Sequence, residues 1–509
     1  MGAMNRNKSG NSIFRAAFVA VCFLLQLGWI LLLILRLNEY SVYISAVTGL
    51  ISVLAVLRLC SRQTNSAYKI AWILLILTLP VMGLSLYLIS QVALSPKGVH
   101  KRLQGIRRAQ RMYLEQDPTV MERLAERDRE AVRQFQYLAG TDHRPVWGNT
   151  HTRYYGEAAD AFEALKADLE QAENFIFLEY FIVEDGAAFR QLREILERKA
   201  RQGVLVRLLY DDLGSIGKVN WKFVRDLNAR GIQCRPFNPA LPLLNLFLNN
   251  RDHRKIAVID GRVGYTGGFN LADEYFDITH PYGHWKDTGV RLEGEAVSSL
   301  TAIFLELWNL TCGTDEDPAA YLTIRHSVSS DGAVQPFGES PLDGETAAEN
   351  VFLNMLGSAK EYIWFMTPYL MITDELSRAL ELAAKRGVDV RIITPGIPDK
   401  KTVYAITRSY YPRLVRNGVR IYEYSPGFCH GKQCVCDGKI ACIGTSNLDF
   451  RSLYLHFENN VLLYDCDAVD QMEADFRETF PLCREVTESY RRVSLRIWQC
   501  ILRLFAPMM

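Results

Sequence analysis

Two short patterns of chemically capable residues occur in the chain at matched spacing. The first copy contains His253, Lys255, Asp260 and Asn270, and the second contains His430, Lys432, Asp437 and Asn447. An imidazole can attack phosphorus, and a second imidazole can protonate the oxygen that leaves. Ammonium groups stabilise the charge that grows on phosphoryl oxygens. The duplicated pattern therefore predicts one symmetrical site that breaks and makes phosphodiester bonds.

Spacing within each copy suggests a role for each residue type. The two lysines lie two residues after their histidines, so on an extended strand they point to the same face. The two aspartates lie at an odd spacing, on the opposite face, and we expect them to be structural or to fix the imidazole tautomers. We expect the asparagines, with Gly268 and Thr445 two residues before them, to bind substrate. These tasks require neither a metal nor a cofactor.

The duplicated pattern resembles the signature of the phospholipase D superfamily, and the resemblance runs from about residue 140 to the C-terminus. In that family the N-terminal histidine usually forms a phosphohistidine and the C-terminal histidine donates the proton. The resemblance thus implies His253 as nucleophile and His430 as acid and later base. Gly268 and Thr445 depart from the usual Gly-Ser-x-Asn ending of the family, which puts one hydroxyl contact in doubt.

An internal repeat surrounds the two patterns. In each copy an apolar strand pattern alternates with helical runs, and the helices end at Gly203, Gly231, Gly387 and Gly418. Such alternation predicts mixed sheets with helices on both faces. The predicted fold class is therefore α/β, with two pseudo-symmetric phospholipase D-like lobes behind an N-terminal transmembrane region. Packing of the lobes would bring both histidines to one cleft.

Three uncharged apolar stretches near the N-terminus are candidate transmembrane helices, at residues 16–35, 40–57 and 70–92. A bilayer requires roughly 20 apolar residues per helix. The first stretch could instead be a signal peptide, and the second a buried or re-entrant helix. Basic residues divide almost evenly across three spans, so they do not decide the orientation. Two spans would place both the N-terminus and the basic stretch 97–111 in the cytoplasm, and we favour catalytic lobes that face it.

Net charge and cysteine spacing argue against a nucleic-acid-binding protein and against a small disulfide-bonded fold. The formal net charge is +1, so the whole chain lacks the basic surplus of a nucleic-acid-binding protein. The 11 cysteines have no disulfide-framework spacing. Cys429, Cys434, Cys436 and Cys442 could be taken for a zinc site with His430. The repeat already accounts for that histidine, however, and the first copy has no cysteine there, so we expect no metal.

The remaining segments complete the predicted domain organisation. We expect a membrane anchor at 1–96, a charged helical connector at 97–140, lobe 1 at 141–335, lobe 2 at 336–486, and a basic amphipathic helix at 487–509. That last helix could lie on the bilayer or pack on lobe 2. The apolar insertion 241–250 is either core or a lip at the active-site mouth.

Within the superfamily, the apolar N-terminus makes the chain most similar to the bacterial cardiolipin synthases. These enzymes have a membrane hairpin before two such lobes. Further similarity lies in His284 to Asp287 and in Leu455 to Asn459. The resemblance implies a phosphatidyl transfer between two phosphatidylglycerol molecules in the cell membrane, with no nucleic acid as partner and an undetermined oligomeric state. The alternatives are a membrane phospholipase D or phosphatidylserine synthase with another acceptor, a membrane-anchored nuclease, and a non-catalytic scaffold.

Overall fold

The computed structural model describes residues 21, 24–31, 41–62, 65–94, 97–239, 250–324, 326–330, 332–493 and 497–506. The chain divides into two units, the first made of Met1–Lys97, Pro239–Asn249 and Arg496–Met509, and the second of Gly98–Asn238 and Asn250–Leu495. The predicted lip at 241–250 lies outside the described residues except for Asn250, as does most of the candidate span 16–35.

The second unit contains two sheets with the same strand order. The strands of lobe 1 are β1 Thr150–Tyr155, β2 Phe175–Tyr180, β3 Leu205–Asp211, β4 Ile232–Phe237, β5 Lys255–Ile259, β6 Val263–Gly267, β7 His284–Lys286 and β8 Gly289–Gly294. Seven of them form a sheet in the order β1-β8-β6-β5-β2-β3-β4. Strands β2, β3 and β4 are parallel, and the remaining pairs are antiparallel.

Lobe 2 repeats this sheet and adds one strand. Its strands are β9 Ala333–Glu339, β10 Tyr362–Met366, β11 Leu370–Met371, β12 Asp389–Pro395, β13 Arg420–Tyr424, β14 Gly427–Cys429, β15 Gln433–Cys436, β16 Ile440–Gly444, β17 Leu448–Asp449, β18 Glu458–Tyr464 and β19 Cys483–Glu485. The order β9-β18-β16-β15-β10-β12-β13-β19 matches lobe 1 strand for strand until β19. The predicted mixed α/β lobes are therefore confirmed.

Helices alternate with the strands in the second unit, and the first unit is mostly helical where it is described. The helices whose bounds the structure defines are α1 Ser41–Cys60, α2 Ser66–Thr78, α3 Pro80–Leu94, α4 Lys97–Arg111, α5 Pro118–Arg127, α6 Arg129–Thr141, α7 Ala158–Glu170, α8 Ala187–Arg201, α9 Trp221–Ala229, α10 Val297–Cys312, α11 Ala319–Leu322, α12 Ala347–Ser358, α13 Asp374–Lys385, α14 Lys401–Arg416, α15 Phe450–Tyr454, α16 Asp467–Thr479, α17 Thr487–Arg491 and α18 Ile497–Phe505. The glycines predicted to end α8, α9, α13 and α14 all have φ between 88° and 101°. A left-handed residue there ends a helix, and glycine adopts it without strain.

The helices of the charged connector predicted at 97–140 belong to the second unit, together with the two lobes, and are not a separate segment. Phe135 and Leu138 of α6 are fully buried, and Arg107 of α4 forms an ion pair with the buried Glu306 of α10 at 3.2 Å. The amphipathic pattern of these helices gives each of them an apolar face, and that face is buried. These helices therefore pack on the lobes, and some of their charged residues, Arg107 among them, form ion pairs there.

The apolar stretch 70–92 is not one helix. It reverses between α2 and α3, where Leu79 leaves the helical conformation (φ −131°, ψ 73°) and Pro80 begins the second helix. The rings of Trp72 and Tyr87 lie 5.3 Å apart, which requires the two helices to fold back on each other. Proline lacks the amide that would continue α2, and Gly83 allows close contact with the backbone of Leu75. Among the described helices, none has both the length and the apolar character to cross a bilayer.

The C-terminal stretch also differs from the prediction of a single helix. The structure has a short helix, α17, followed by the separate helix α18. In α18, Ile497, Trp498 and Ile501 are exposed. An apolar exposed face on a helix that also carries Arg503 is typical of contact with a lipid surface.

Candidate functional site

The two pattern histidines stand at equivalent points of the two lobes, and each is anchored to the other lobe. His253 precedes β5 and His430 precedes β15, and each residue is 7% exposed. The amide of His253 donates to the carbonyl of Phe457 at 2.9 Å, and the amide of His430 donates to that of Lys286 at 2.7 Å. Parallel pairing of β14 with β7, and of Asp252 with Phe457, supports these contacts.

Each imidazole meets a carboxylate from the opposite lobe. The Nδ1 atom of His253 lies 2.9 Å from both carboxylate oxygens of Glu458, and the Nδ1 atom of His430 lies 2.6 Å from Oδ2 of Asp287. A carboxylate that accepts from Nδ1–H leaves the lone pair on Nε2. Both imidazoles are thereby prepared to use Nε2 in chemistry.

The sequence contained the signal for these carboxylates, but their role was missed. Asp287 and Glu458 end the two similar segments 284–287 and 455–458. The tautomer-fixing role, which we expected of Asp260 and Asp437, belongs by geometry to this second pair. Only the folded lobes show that each carboxylate crosses to the other copy.

Gly268 and Thr445, the two departures from the usual ending, fit the different carboxylates that they face. A Cβ atom at Gly268 would lie 1.9 Å from Oδ1 of Asp287, so only glycine leaves room for that side chain. Thr445 Oγ1 instead donates to Glu458 at 2.5 Å, and Ser452 Oγ donates to it at 2.7 Å. Each of the two residues therefore lies against the carboxylate partner of one imidazole.

The two lysines share the histidine face, as their spacing predicts. Lys255 Nζ donates to the carbonyl of His253 at 2.6 Å, and Lys432 Nζ lies 2.7 Å from Nδ1 of His430. Burial lowers the pKa of Lys255 to about 7 and that of Lys432 to about 8, although Glu458 and Asp287 oppose the shifts. Both ammonium groups are therefore held in a site where a phosphate would favour their charge.

Both histidines have lowered pKa values, but the neighbouring charges act on them differently. Burial lowers the pKa of His253 well below its ordinary value, and the neighbouring cations, Lys255 first, lower it further. Burial and Lys432 also lower the pKa of His430, to about 4, but Asp287 raises it through charge and hydrogen bonding. His430 is therefore the better placed of the two to hold a proton.

The asparagines differ in their surroundings. Asn270 is committed on both sides of its amide, because Oδ1 accepts from the amide of Ile182 at 3.0 Å and Nδ2 donates to Tyr275 at 2.8 Å. The amide oxygen of Asn447 is buried and accepts no hydrogen bond from any described residue. We keep Asn447 as a candidate substrate-binding residue and assign Asn270 to the wall of the site.

The aspartates of the two patterns lie at the far ends of their strands. Asp260 accepts hydrogen bonds from the amides of Glu173, Asn174 and Phe175 at 2.7 to 2.8 Å. Asp437 accepts from the amides of residues 360–362 at 2.8 to 2.9 Å. Of the two expected roles, the geometry supports the structural one.

Two groups among the described residues could hold a metal ion, and neither includes a cysteine of the 429–442 cluster. One consists of His253, His456 and Glu458, all buried, and the other of Glu157, Asp277 and His284, which are partly exposed. Within the described region, Cys429, Cys434, Cys436 and Cys442 are buried thiols of strands β14 to β16.

The arrangement as a whole supplies a nucleophile, an acid and two cations. An anionic phosphodiester between the two Nε2 atoms would meet attack from one side and a proton donor on the other. The lysines would stabilise its oxygens, since a buried site strengthens such interactions. This geometry suits exchange of one phosphodiester for another.

Two family models match the chain. The one described as cardiolipin synthase, PLD-like domain, matches residues 165–308 and 352–480, and the one described as phospholipase D-nuclease N-terminal matches residues 50–90. The two segments of the first match fall in the two lobes, one in each.

Relatives cover nearly the whole chain. A protein of Streptococcus mutans, described only as uncharacterized, is 39% identical over 459 residues, which are 89% of this chain and 99% of the relative. A cardiolipin synthase of Geobacillus kaustophilus is 36% identical over 481 residues, which are 93% of this chain and 94% of the relative. The crystal structure of a phosphatidylserine synthase from Haemophilus influenzae has a TM-score of 0.56 at 14% identity, covering 74% of this chain and 97% of that one. That last likeness shows the fold alone.

Proposed function

Because the chain belongs to the cardiolipin synthase family of phospholipase D-like proteins, we propose that it joins two phosphatidylglycerol molecules into cardiolipin and glycerol. It is a phosphatidyltransferase. The observation that carries the proposal is the complete duplicated site, in which each histidine has its carboxylate and its lysine. A non-catalytic scaffold would have no need to keep both sets intact.

In the first step, Nε2 of His253 attacks the phosphorus of one phosphatidylglycerol. A P–N bond forms and the P–O bond to the terminal glycerol breaks. His430 enters this step as an imidazolium and donates its Nε2 proton to the departing oxygen, while its Nδ1 proton stays hydrogen-bonded to Asp287. Glu458 stabilises the ring of His253 as it becomes positively charged. Lys255 and Lys432 stabilise the phosphoryl oxygens in the transition state.

In the second step, the free hydroxyl of another phosphatidylglycerol gives its proton to His430 and attacks the same phosphorus. The new P–O bond forms, the P–N bond breaks, and His253 is regenerated. The differing electrostatics of the two histidines support this order, because the acid–base group must hold a proton more readily than the nucleophile does. No redox change occurs in either step.

Water would compete as the acceptor, so the site must favour a lipid hydroxyl. Both histidines are almost wholly buried, which limits the access of water to the phosphohistidine.

We further propose a cell-membrane location, with several spans and lobes that face the cytoplasm. Support comes from the N-terminal family match over residues 50–90 and from the apolar surface of the first unit. In α1 alone, Val42, Leu50 and Leu57 are each at least 60% exposed. Exposed apolar side chains in such number indicate contact with lipid or another apolar partner.

The test is lipid analysis of the purified full chain with vesicles of phosphatidylglycerol as the sole lipid. We expect cardiolipin and glycerol in equal amounts. A His253→Ala/His430→Ala double variant, checked for folding by its melting temperature, is the matched control. The result that would overturn the proposal is phosphatidic acid as the main product. Transfer to serine or ethanolamine acceptors in preference to phosphatidylglycerol would identify one of the alternative transferases.

A further inference from the structure

His456 is a buried imidazole to which the proposed reaction assigns no task. The residue is 9% exposed, and its ring lies 5.5 Å from that of His253. Neither ring nitrogen has a hydrogen-bond partner among the described residues. Buried polar atoms in folded proteins almost always have a partner, so an exception suggests a ligand.

The repeat shows that packing alone does not require an imidazole at this position. Trp285 stands one residue before Lys286 in lobe 1, as His456 stands one residue before Phe457 in lobe 2. The ring of Trp285 lies 5.5 Å from that of His430, the same distance as that between His456 and His253. An apolar aromatic ring fills the equivalent position in the other half of the site.

The surroundings of His456 offer a suitable donor set. Ligand atoms of His253, His456 and Glu458 all lie within 4.8 Å of one another. Nδ1 of His253 is 2.9 Å, and Nδ1 of His456 is 3.7 Å, from a carboxylate oxygen of Glu458. A tetrahedral zinc ion with bonds of about 2.0–2.2 Å separates its ligand atoms by roughly 3.4 Å, so only small shifts are needed.

We propose that these three residues bind a divalent zinc-class ion and that its binding inhibits the enzyme. Two imidazoles and one carboxylate are a donor set that such ions favour, and they leave a fourth position open. The inhibitory consequence rests on the proposed function, because it depends on His253 as the nucleophile. Lys255 opposes a second cation nearby, so the ion binds reversibly rather than as a resident structural metal.

Inhibition follows from the imidazole tautomer. The ion takes the lone pair of Nδ1 on His253, and the ring proton moves from Nδ1 to Nε2 without leaving the residue. Nε2 then has no lone pair with which to attack phosphorus. Glu458, bound to the ion, no longer accepts from Nδ1.

The experiment uses the full chain in phosphatidylglycerol vesicles, freed of metal by a chelator. Cobalt(II) serves as the spectroscopic probe and zinc(II) as the inhibitor. We expect a visible absorption band typical of tetrahedral cobalt. With zinc, we expect a fall of at least about tenfold in the transfer rate, which chelator reverses.

Two variants separate the metal site from the reaction. His456→Phe keeps the ring volume and His456→Gln keeps polarity, and in chelator both should retain most of the transfer activity. Both should lose the cobalt band and require at least about tenfold more zinc, since even loss of an outer partner weakens metal binding that much. His284→Gln removes the other candidate group and should remain as sensitive as wild type.

Three results would overturn the proposal. One is wild-type sensitivity to zinc in both His456 variants. Another is absence of the tetrahedral band in the wild-type chain. A third is loss of transfer in both variants in chelator at unchanged melting temperature, since His456 would then serve the reaction. The cobalt band does not depend on lipid transfer. If the chain shows the band but makes no cardiolipin, the metal site is supported. The proposed function and the inhibitory role of the metal are then overturned.

Discussion

His253 and His430 hold equivalent positions but differ in the charges around them. The charges near His253 favour its neutral form, and Asp287 favours the protonated form of His430. A nucleophile must be neutral and a general acid must carry a proton, so the difference distinguishes two otherwise symmetrical groups. Single side chains, rather than the fold, break the symmetry of the site.

His253→Ala and His430→Ala should each lower the transfer rate by at least about a hundredfold, because neither role can pass to the other histidine. The melting temperature should stay close to that of wild type. Brief reaction with phosphate-labelled substrate should leave acid-labile label on His253 of the wild-type chain. Label on His430 would reverse the assignment, and near-wild-type turnover by either variant would contradict it.

The pKa of Lys432 predicts an early alkaline limb for the reaction. Burial lowers that pKa from an ordinary 10.5 to about 8, and the pKa of Lys255 to about 7, so both ammonium groups are lost above pH 8. We expect kcat/KM, which reports the free enzyme, to fall in two steps, near pH 7 and near pH 8. Lys432→Arg keeps its charge throughout, so any activity it retains should lack the step near pH 8 and keep the step near pH 7 that Lys255 causes. A wild-type profile that stays flat to pH 10 would exclude this role.

At the scale of elements, the turns and strand ends place the carboxylates. The turn after β6 carries Gly268, and the turn after β16 carries Thr445. The first gives space to a short aspartate, whereas the second supplies a hydroxyl to a longer glutamate. Gly268 therefore accommodates Asp287, which pairs with His430 of lobe 2. Thr445 binds Glu458, which pairs with His253 of lobe 1.

Gly268→Ser would restore the family's usual residue and should nevertheless damage the site. The added Cβ would lie 1.9 Å from Oδ1 of Asp287, so the carboxylate must move away from His430. We expect a fall in kcat of about a hundredfold, the lower end of a general acid–base contribution. Thr445→Ser keeps its hydroxyl and should stay near wild type. Equal rates for Gly268→Ser and wild type would contradict the positioning role of Asp287.

Asp437→Ala should affect stability and leave catalysis intact. Three backbone amides lose their acceptor. These amides are exposed or partly buried, so each lost hydrogen bond costs about 0.5–1.5 kcal/mol. Asp437→Asn keeps the oxygen that serves two of them and tolerates the positive φ of 51°, so its melting temperature should fall less. Activity per folded molecule should be unchanged in both. Lost activity at unchanged melting temperature would restore a catalytic role to Asp437.

The elements also show where prediction from sequence succeeds. The strands, the glycine-ended helices and the shared face of histidine and lysine follow from local periodicity, so they could be predicted. The pairing of Asp287 and Glu458 with the histidine of the opposite lobe depends on how two distant copies pack. A local sequence pattern contains no information on that packing. The reversal at Pro80 could not be predicted because the sequence is apolar on both sides of it. The buried face of α4 to α6 could not be predicted because these helices are rich in charged residues.

At the scale of the whole molecule, the proposed reaction exchanges one phosphodiester for another of similar energy. It should therefore run close to equilibrium. Excess glycerol, added to cardiolipin-containing vesicles with the enzyme, should regenerate phosphatidylglycerol, measured by lipid analysis. Heat-treated enzyme provides the control. If glycerol has no effect and phosphatidic acid accumulates instead, the chain is a hydrolase.

The two histidine–carboxylate pairs give the site the symmetry of a dimer. The histidine of each lobe pairs with the carboxylate of the other lobe. Such reciprocal contacts are typical of the interface of a twofold-symmetric homodimer. Two identical half-length chains would have built this site with every residue held in common by both halves. In a single chain the equivalent positions of the two halves need not be identical. They differ at Asp287 and Glu458, at Gly268 and Thr445, and at Trp285 and His456, which gives the two histidines different surroundings.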